Sequence, residues 1–257
     1  MDKGSFSGAI LAITGIVAGL LIEGGNLGQI LQPTAALIVF GGTMGAVLLQ
    51  FSLTTVSAAF RHALRLFATR NKRSDALVRV LLSYANKARR NGVVSLDADL
   101  QTISDPFLKQ AIMLAVDGTD PTELRKIMRV SLDSTAENEE RMPAVFESAG
   151  GFSPTIGILG AVLGLIQVMQ HLDNIQEVGR GIAVAFVATI YGVGVANLFF
   201  LPFAGKMRIQ LREEHLRREM ILEGVISIIE GMNPRMLEIK LAGFLDRQVG
   251  PKTERAA

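Results

Sequence analysis

The stretch SAGGFSPTIGILGAVLGLIQVMQHL, Ser148–Leu172, decides the fold class of this chain. Its 25 residues include no Asp, Glu, Lys or Arg, and about 20 apolar residues in a helix cross the hydrocarbon core of a bilayer. Charge-free runs of 19 to 37 residues also occupy 4–22, 24–60 and 181–205. The pattern predicts an all-α membrane protein with four transmembrane helices, at about 5–22, 33–52, 150–171 and 181–203.

The composition agrees with a membrane protein and excludes several function classes. Hydrophobic residues make up 49% of the chain and charged residues 19%, against about 25% charged in soluble domains. The absence of cysteine excludes disulfides and thiolate chemistry, and the net charge of +2 is too small to indicate nucleic-acid binding. No nucleophile, phosphate-binding or metal-ligand motif is present. We therefore expect no enzyme activity, no cofactor and no bound metal.

Basic residues predict the orientation. They cluster after the second and fourth runs, whereas the short loops predicted at Glu23–Gln32 and Asp173–Arg180 contain one basic residue between them. Basic residues mark the cytoplasmic side of spans, so we expect both termini and the middle of the chain to be cytoplasmic. The basic residues concerned are Arg61, Arg65, Arg70, Lys72, Arg73, Lys206, Arg208 and Arg212.

Four segments follow from this orientation. Residues 1–60 hold the first two spans, 61–147 form a cytoplasmic helical domain, 148–205 hold the last two spans, and 206–257 form cytoplasmic C-terminal helices. Start and stop residues predict the helices outside the membrane. They are a helix from Ser74 ended by Gly92, one over Phe107–Val116, one starting at Asp120-Pro121, one over Lys206–Glu230, and a last one over Met236–Leu245.

The predicted spans contain few polar groups. Thr155 lies in the third span and Thr189 in the fourth; Pro154 is expected to open the third span and Pro202 to lie at the cytoplasmic end of the fourth. A threonine in a span more often bonds to its own helix than lines a pathway. An ion-driven device needs an intramembrane carboxylate, and these spans have none. Either the chain moves no ions, or a partner supplies that group.

Pairs of glycines four residues apart recur in three of the spans. Such pairs let transmembrane helices approach closely. They serve either packing within the chain or contacts with neighbouring subunits, and the pattern alone leaves both open. The pairs are Gly15 with Gly19, Gly41 with Gly45, and Gly160 with Gly164.

Several motifs, in the same order, resemble the A subunit of the flagellar motor stator, of the MotA/PomA type. GFSPTIGILGAVLGL, Gly151–Leu165, resembles the third span of that family. GIAVAFVATIYGVGVAN, Gly181–Asn197, resembles its fourth span. The cytoplasmic motifs ARRNG from Ala88, VDG from Val116 and EGMNPR from Glu230 match as well. The resemblance covers nearly the whole chain.

The resemblance implies a stator subunit of the bacterial inner membrane. In that family the A subunits form a homopentamer around two copies of a single-span MotB/PomB-type subunit, which carries the ion-binding aspartate. Ion flow turns the ring against the rotor protein FliG. By position in the motifs, the residues that face the B subunit and the ion path, or couple ion release to the cytoplasm, are Pro154, Thr155, Phe186, Thr189 and Pro202; those that meet the rotor are Arg89, Arg90 and Asp97.

Two positions depart from the pattern of the family. Asp97 stands where the acidic rotor-facing residue is commonly Glu. Sodium-type relatives carry Thr at the position of Ala161, and a methyl group cannot ligate a hard cation, so we expect protons to be the ion. Without the resemblance, Arg89 and Arg90 read equally well as a solvated helix end.

Two other classes of membrane protein compete with this interpretation. Subunits of the ExbB/TolQ type also depend on a carboxylate from a partner, but they usually have three spans. A secondary transporter would have longer paired repeats and its own intramembrane ionisable group. The first span therefore favours the stator class.

Overall fold

The computed structural model describes residues 3–66 and 74–249, and every regular element within these residues is helical. The helices are α1 Lys3–Ile22, α2 Leu27–Ile30, α3 Pro33–Gln50, α4 Leu53–Leu66, α5 Ser74–Asn91, α6 Pro106–Val116, α7 Pro121–Gln170, α8 Ile175–Ile229 and α9 Pro234–Val249. A 3-10 turn covers Val93–Asp99, and π turns interrupt α3 at Leu37–Gly41 and α8 at Ala196–Phe200. The all-α class is confirmed for the described residues.

The chain divides into two compact units. The first comprises Met1–Arg70 and Glu140–Arg208, and the second comprises Asn71–Glu139 and Ile209–Ala257. Helices α7 and α8 each contribute to both units.

Three helices of the described chain are long and apolar enough to cross a membrane: α3, α7 and α8. Helix α1 has 20 residues, and its described apolar stretch, Ile10–Ile22, is shorter than a span. A fourth span at α1 therefore stays a prediction. Arg70, Lys72 and Arg73, on which the predicted orientation partly rests, lie outside the described residues.

The loop between the third and fourth predicted spans is shorter than expected. Helix α8 begins at Ile175, not near Gly181, because the Asn174 side chain accepts hydrogen bonds from the backbone N–H groups of Gln176 and Glu177. These bonds satisfy donors that have no partner within the first helical turn. Glu177 and Arg180 consequently lie inside the helix.

Pro154, predicted to open the third span, does not coincide with the start of a helix. Pro154 lies inside α7, which is continuous from Pro121. A proline removes its own N–H from the helical ladder, and the helix continues on both sides of Pro154. The start of α7 at Pro121 was predicted correctly.

Most boundaries outside the predicted spans also agree with the sequence. Helix α5 ends before Gly92, whose φ of 81° suits glycine, and Asp105 caps α6. Helix α9 starts at Pro234, two residues before the predicted Met236. The Asn233 side chain accepts a hydrogen bond from the Arg235 N–H at 3.0 Å.

The second unit has an apolar core formed by α5, α6, α9 and the parts of α7 and α8 that belong to it. Fully buried side chains from each helix meet there: Leu81, Ile112, Leu124, Ile221 and Leu237. Gly224 has no room for a side chain, because a Cβ there would lie 2.8 Å from Leu81 Cδ1.

The first unit packs α3, α4, α7 and α8 around Phe146, which is fully buried. Its ring lies 5.1 Å from that of Phe60 and 6.0 Å from that of Phe203, measured between ring centres. Offset and edge-to-face ring pairs at such distances contribute favourably beyond their buried area.

Candidate functional site

The apolar parts of α7 and α8 are in backbone contact. A Cβ on Gly192 would lie 2.6 Å from the Ser153 carbonyl oxygen, and one on Gly164 would lie 2.8 Å from the Gly181 carbonyl oxygen. Without side chains at these glycines the two helices pack closely, as small residues allow in membranes. Gly160 and Gly164 therefore serve packing within the chain.

The other two glycine pairs behave differently. A Cβ added to either member of each pair would meet no atom of the chain within 4 Å. Among the described residues, these pairs are therefore not sites of close helix approach like Gly160 and Gly164. They are Gly15 with Gly19, and Gly41 with Gly45.

Ser153 connects the two helices by a hydrogen bond. Its side chain is fully buried, and its hydroxyl donates to the Gly192 carbonyl oxygen at 2.9 Å. We did not predict this residue. The available signal was a hydroxyl in an otherwise apolar span, next to Pro154, where a polar group needs a partner.

The two predicted pathway threonines bond to their own helices. Thr155 is exposed and its hydroxyl donates to the Phe152 carbonyl at 2.8 Å, while Thr189 is half-buried and donates to the Ala185 carbonyl at 3.2 Å. The Cα of Thr189 lies 3.5 Å from the position of a Cβ on Gly157. The structure therefore places Thr189 in the contact region of α7 and α8, and Thr155 on an exposed face of α7.

The other predicted pathway residues differ in exposure. Phe186 is 69% exposed, Ala161 is half-buried, and Pro154 is half-buried inside α7. An exposed aromatic side chain in an apolar segment is available to another subunit or to lipid.

Pro202 lies two residues after the end of the π turn of α8. In a regular helix the proline ring clashes with the carbonyl four residues earlier. Here the Leu201 N–H donates to the Ala196 carbonyl five residues back, so the helix is wider at this point. The Asn197 side chain donates to the Val193 carbonyl at 2.9 Å. The structure thus places Pro202 at an irregular turn that the sequence did not predict.

Tyr191 fixes the loop that precedes α3. Its hydroxyl donates to the Ile30 carbonyl and accepts a hydrogen bond from the Gln32 N–H at 3.3 Å. Its ring lies 6.0 Å from that of Phe40. The sequence showed this tyrosine within a span but gave no sign of its partner.

The predicted rotor-facing residues lie on two neighbouring segments of the second unit. Arg89 and Arg90 are exposed in the last turn of α5, and Asp97 is exposed in the 3-10 turn. The salt bridge from Lys87 to Asp99, 2.7 Å long, joins these segments. The arrangement leaves charges of both signs open to a partner.

A buried ion pair stiffens the same unit. Arg217 and Asp105 are 2.6 Å apart, with only 11% and 14% of their side chains exposed. Burial raises the pKa of Asp105, but hydrogen bonds from the Leu108 N–H, the Arg217 side chain and the Phe107 N–H lower it by more, so its pKa lies below the ordinary value. The carboxylate both caps α6 and holds it to α8.

Three charged side chains form a second network in this unit. Glu223 pairs with Arg125 and with Lys240, the latter at 2.9 Å. Among the described residues no group of three or more His, Cys, Asp or Glu side chains is placed to hold a metal ion. The three side chains of this network thus have structural partners.

Comparison with known proteins gives the family. The profile of the MotA/TolQ/ExbB proton channel family matches residues 99–220, and that of the motility protein A N-terminal domain matches residues 6–92. Motility protein A of Bacillus subtilis (strain 168) is 34% identical over 247 residues, which cover 95% of this chain and 91% of that protein. This chain belongs to the MotA family.

Solved structures agree with this assignment. A MotAB structure from C. jejuni matches with a TM-score of 0.90 at 30% identity, covering all of both chains. The flagellar MotAB stator complex from Bacillus subtilis matches with a TM-score of 0.87 at 34% identity, covering 96% of this chain and 98% of that one. The likeness of this MotA-family chain extends over both units.

Proposed function

We propose that the chain is a stator subunit of the bacterial flagellar motor, and that with a MotB-type partner it forms an ion-conducting unit in the inner membrane. The observation that carries the proposal is the match along the full chain to MotAB stator structures. The charge-free parts of α7 and α8, residues 148–170 and 181–205, fit this role, because they offer close helix packing and hydroxyl groups but no acid of their own.

The partner subunit supplies the carboxylate in this mechanism. A proton or sodium carrier needs a group that binds and releases the ion within the membrane. Thr155, Phe186 and Thr189 line the path beside the partner helix, and Ala161 favours protons over sodium. The threonine oxygens keep lone pairs free after donating to their own helices, so they can accept hydrogen bonds from water in the path.

The topology and assembly belong to the same proposal. Four spans, with α1 as the first, place both termini and the second unit in the cytoplasm. Five copies surround two single-span partners, and the second unit contacts FliG through Arg89, Arg90 and Asp97. The charge asymmetry of the loops supports the orientation, and the exposure of the three charged residues supports the contact.

Complementation tests the function. Expressed with its MotB-type partner in a motile bacterium that lacks its own A subunit, the chain should restore swimming, and alone it should conduct no protons. A proton leak from the chain alone would mean that it carries its own ion site.

A second complementation experiment distinguishes the stator function from the ExbB/TolQ alternative. The description of the family profile over 99–220 includes that class, whereas the profile over 6–92 is described as the N-terminal part of motility protein A. Restoration of outer-membrane energisation in a strain lacking ExbB or TolQ, without restoration of swimming, would favour the alternative.

A further inference from the structure

The Ser153 hydroxyl donates to a carbonyl of α8 that already accepts a backbone hydrogen bond. The Gly192 carbonyl oxygen also accepts the backbone N–H of Ala196, the residue at which the π turn begins. A side chain that enters the helical hydrogen-bond ladder is a known cause of local bending. Ser153 thus touches α8 one turn before the ladder changes from α to π bonding.

The contact between Ser153 and α8 is tightly packed. Ser153 is fully buried, and the close approach of the Ser153 backbone to Gly192 leaves no room for a Cβ on that glycine. The hydroxyl therefore has a fixed acceptor. Because a buried hydroxyl without a partner is costly, the bond favours the backbone geometry in which the Gly192 carbonyl faces α7.

The π turn determines which side chains of α8 are buried after it. A π turn holds one extra residue, and one residue corresponds to about 100° of rotation in a helix of 3.6 residues per turn. In the present arrangement Ala204 and Met207 are buried, while Gly205 and Arg208 are exposed. Conversion of the π turn to a regular helix would advance each later residue by one position, so that Ala204 and Met207 would take the exposed positions now held by Gly205 and Arg208, and Gly205 would take a half-buried one.

We propose that Ser153 is a positioning residue for torque generation: its hydrogen bond to Gly192 maintains the π turn and so sets the rotation of α8 around Pro202. The role in torque rests on the proposed stator function; the role in the π turn does not. If the rotation of α8 depends on the hydrogen bond between Ser153 and Gly192, a structural change at the nearby ion path can be transmitted along α8 through that bond.

Cysteine labelling tests the structural step. The chain has no natural cysteine, so Ala204→Cys and Gly205→Cys can be introduced singly into the complex with its partner. With Ser153 present, N-ethylmaleimide should label position 205 and spare position 204. In Ser153→Ala the labelling of 204 should rise and that of 205 fall. An unchanged pattern would overturn the proposal.

Motor recordings test the functional step. Stepwise speed increases on a tethered bead give the number of stator units and the torque of each. Ser153→Ala should lower torque per unit about two- to tenfold, the range that one hydrogen bond contributes to an equilibrium, with an unchanged number of units. Ser153→Cys, a weak donor of similar size, should give an intermediate torque. Ser148→Ala, on the same helix, is the matched control and should match the wild type.

The outcomes separate the two proposals. Fewer units of normal torque in Ser153→Ala, or an equal loss in Ser148→Ala, would reduce Ser153 to a fold-stabilising residue and overturn its positioning role. A labelling shift without a change in torque would also overturn the role of Ser153 in torque generation. If the wild-type chain drives no rotation while labelling shifts as expected, the stator function fails and the π-turn role stands.

Discussion

Substitutions of Thr189 test whether its hydroxyl is part of the proposed ion path. Its side chain is half-buried beside Gly157, and its hydroxyl bonds to the Ala185 carbonyl. We expect Thr189→Leu to abolish proton flux through the complex in liposomes, because a larger apolar side chain would fill a narrow polar path. Assembly with the partner should persist. Thr189→Ser, which keeps the hydroxyl, should conduct. Normal swimming of Thr189→Leu would remove this residue from the path.

The lowered pKa of Asp105 predicts how the stability of the second unit depends on pH. Its pKa is lower in the folded chain than in the unfolded one. The pair with Arg217 therefore stabilises fully above the unfolded pKa of about 3.9, and this stability is lost as the pH falls through the lower folded pKa. The melting temperature of the purified complex should exceed that of Asp105→Asn at pH 6, and the difference should shrink below pH 4. A constant difference would contradict this.

Single residues show what the sequence can reveal about the site. Thr155, Thr189 and Pro202 could be proposed from the sequence because polar residues and prolines are conspicuous in charge-free runs. The partners of Ser153 and Tyr191 lie 39 and 161 residues away. A single sequence contains no information on which distant carbonyl a hydroxyl will meet.

The contact of α7 with α8 gives a prediction at the scale of helices. Gly192→Ala should weaken the first unit by about 1–3 kcal/mol, the usual cost of overpacking, because the new Cβ would meet the Ser153 carbonyl. Gly194→Ala, two residues along, meets nothing within 4 Å and is the matched control. Thermal unfolding of the purified complex measures both. Equal melting temperatures would mean that the helices are not in close contact.

Helix boundaries were predictable where a cap or a breaker stands in the sequence. Gly92 and Pro121 were interpreted correctly. Asn174 is a helix-capping residue type and indicated the start of α8. The prediction placed the start later because Glu177 and Arg180 are charged and were assigned to the loop. The π turns at Leu37–Gly41 and Ala196–Phe200 have no local signature apart from Pro202, since they depend on packing between helices.

The charges at the end of α5 give a prediction for the assembled motor. If Arg90 meets acidic residues of FliG as proposed, Arg90→Glu should lower torque, because the substitution would place an anion opposite those acids. A charge reversal on FliG should restore part of the loss. Arg79→Glu, also exposed and about 16 Å away along α5, should have little effect. Swimming speed in soft agar compares the variants, and failure of every FliG reversal would favour a solvated helix end.

For the whole molecule, the class of protein followed from physics that acts along the sequence. A bilayer excludes charge, so spans appear as charge-free runs, and the missing carboxylate indicated a partner. Assembly does not follow in the same way. A Cβ on Gly15, Gly19, Gly41 or Gly45 would meet no atom of the described residues within 4 Å, and the contacts of these faces with other copies or partners do not follow from one sequence.

The two tyrosines have a practical consequence. The chain has no tryptophan and two tyrosines, Tyr84 in the second unit and Tyr191 in the first. Burial, and then the nearby Asp99 carboxylate, raise the pKa of Tyr84, whereas the Tyr191 hydroxyl is hydrogen-bonded to the loop before α3. Uniform fluorotyrosine labelling would therefore give one resonance per unit, so that unfolding of each unit can be recorded separately without altering any other residue.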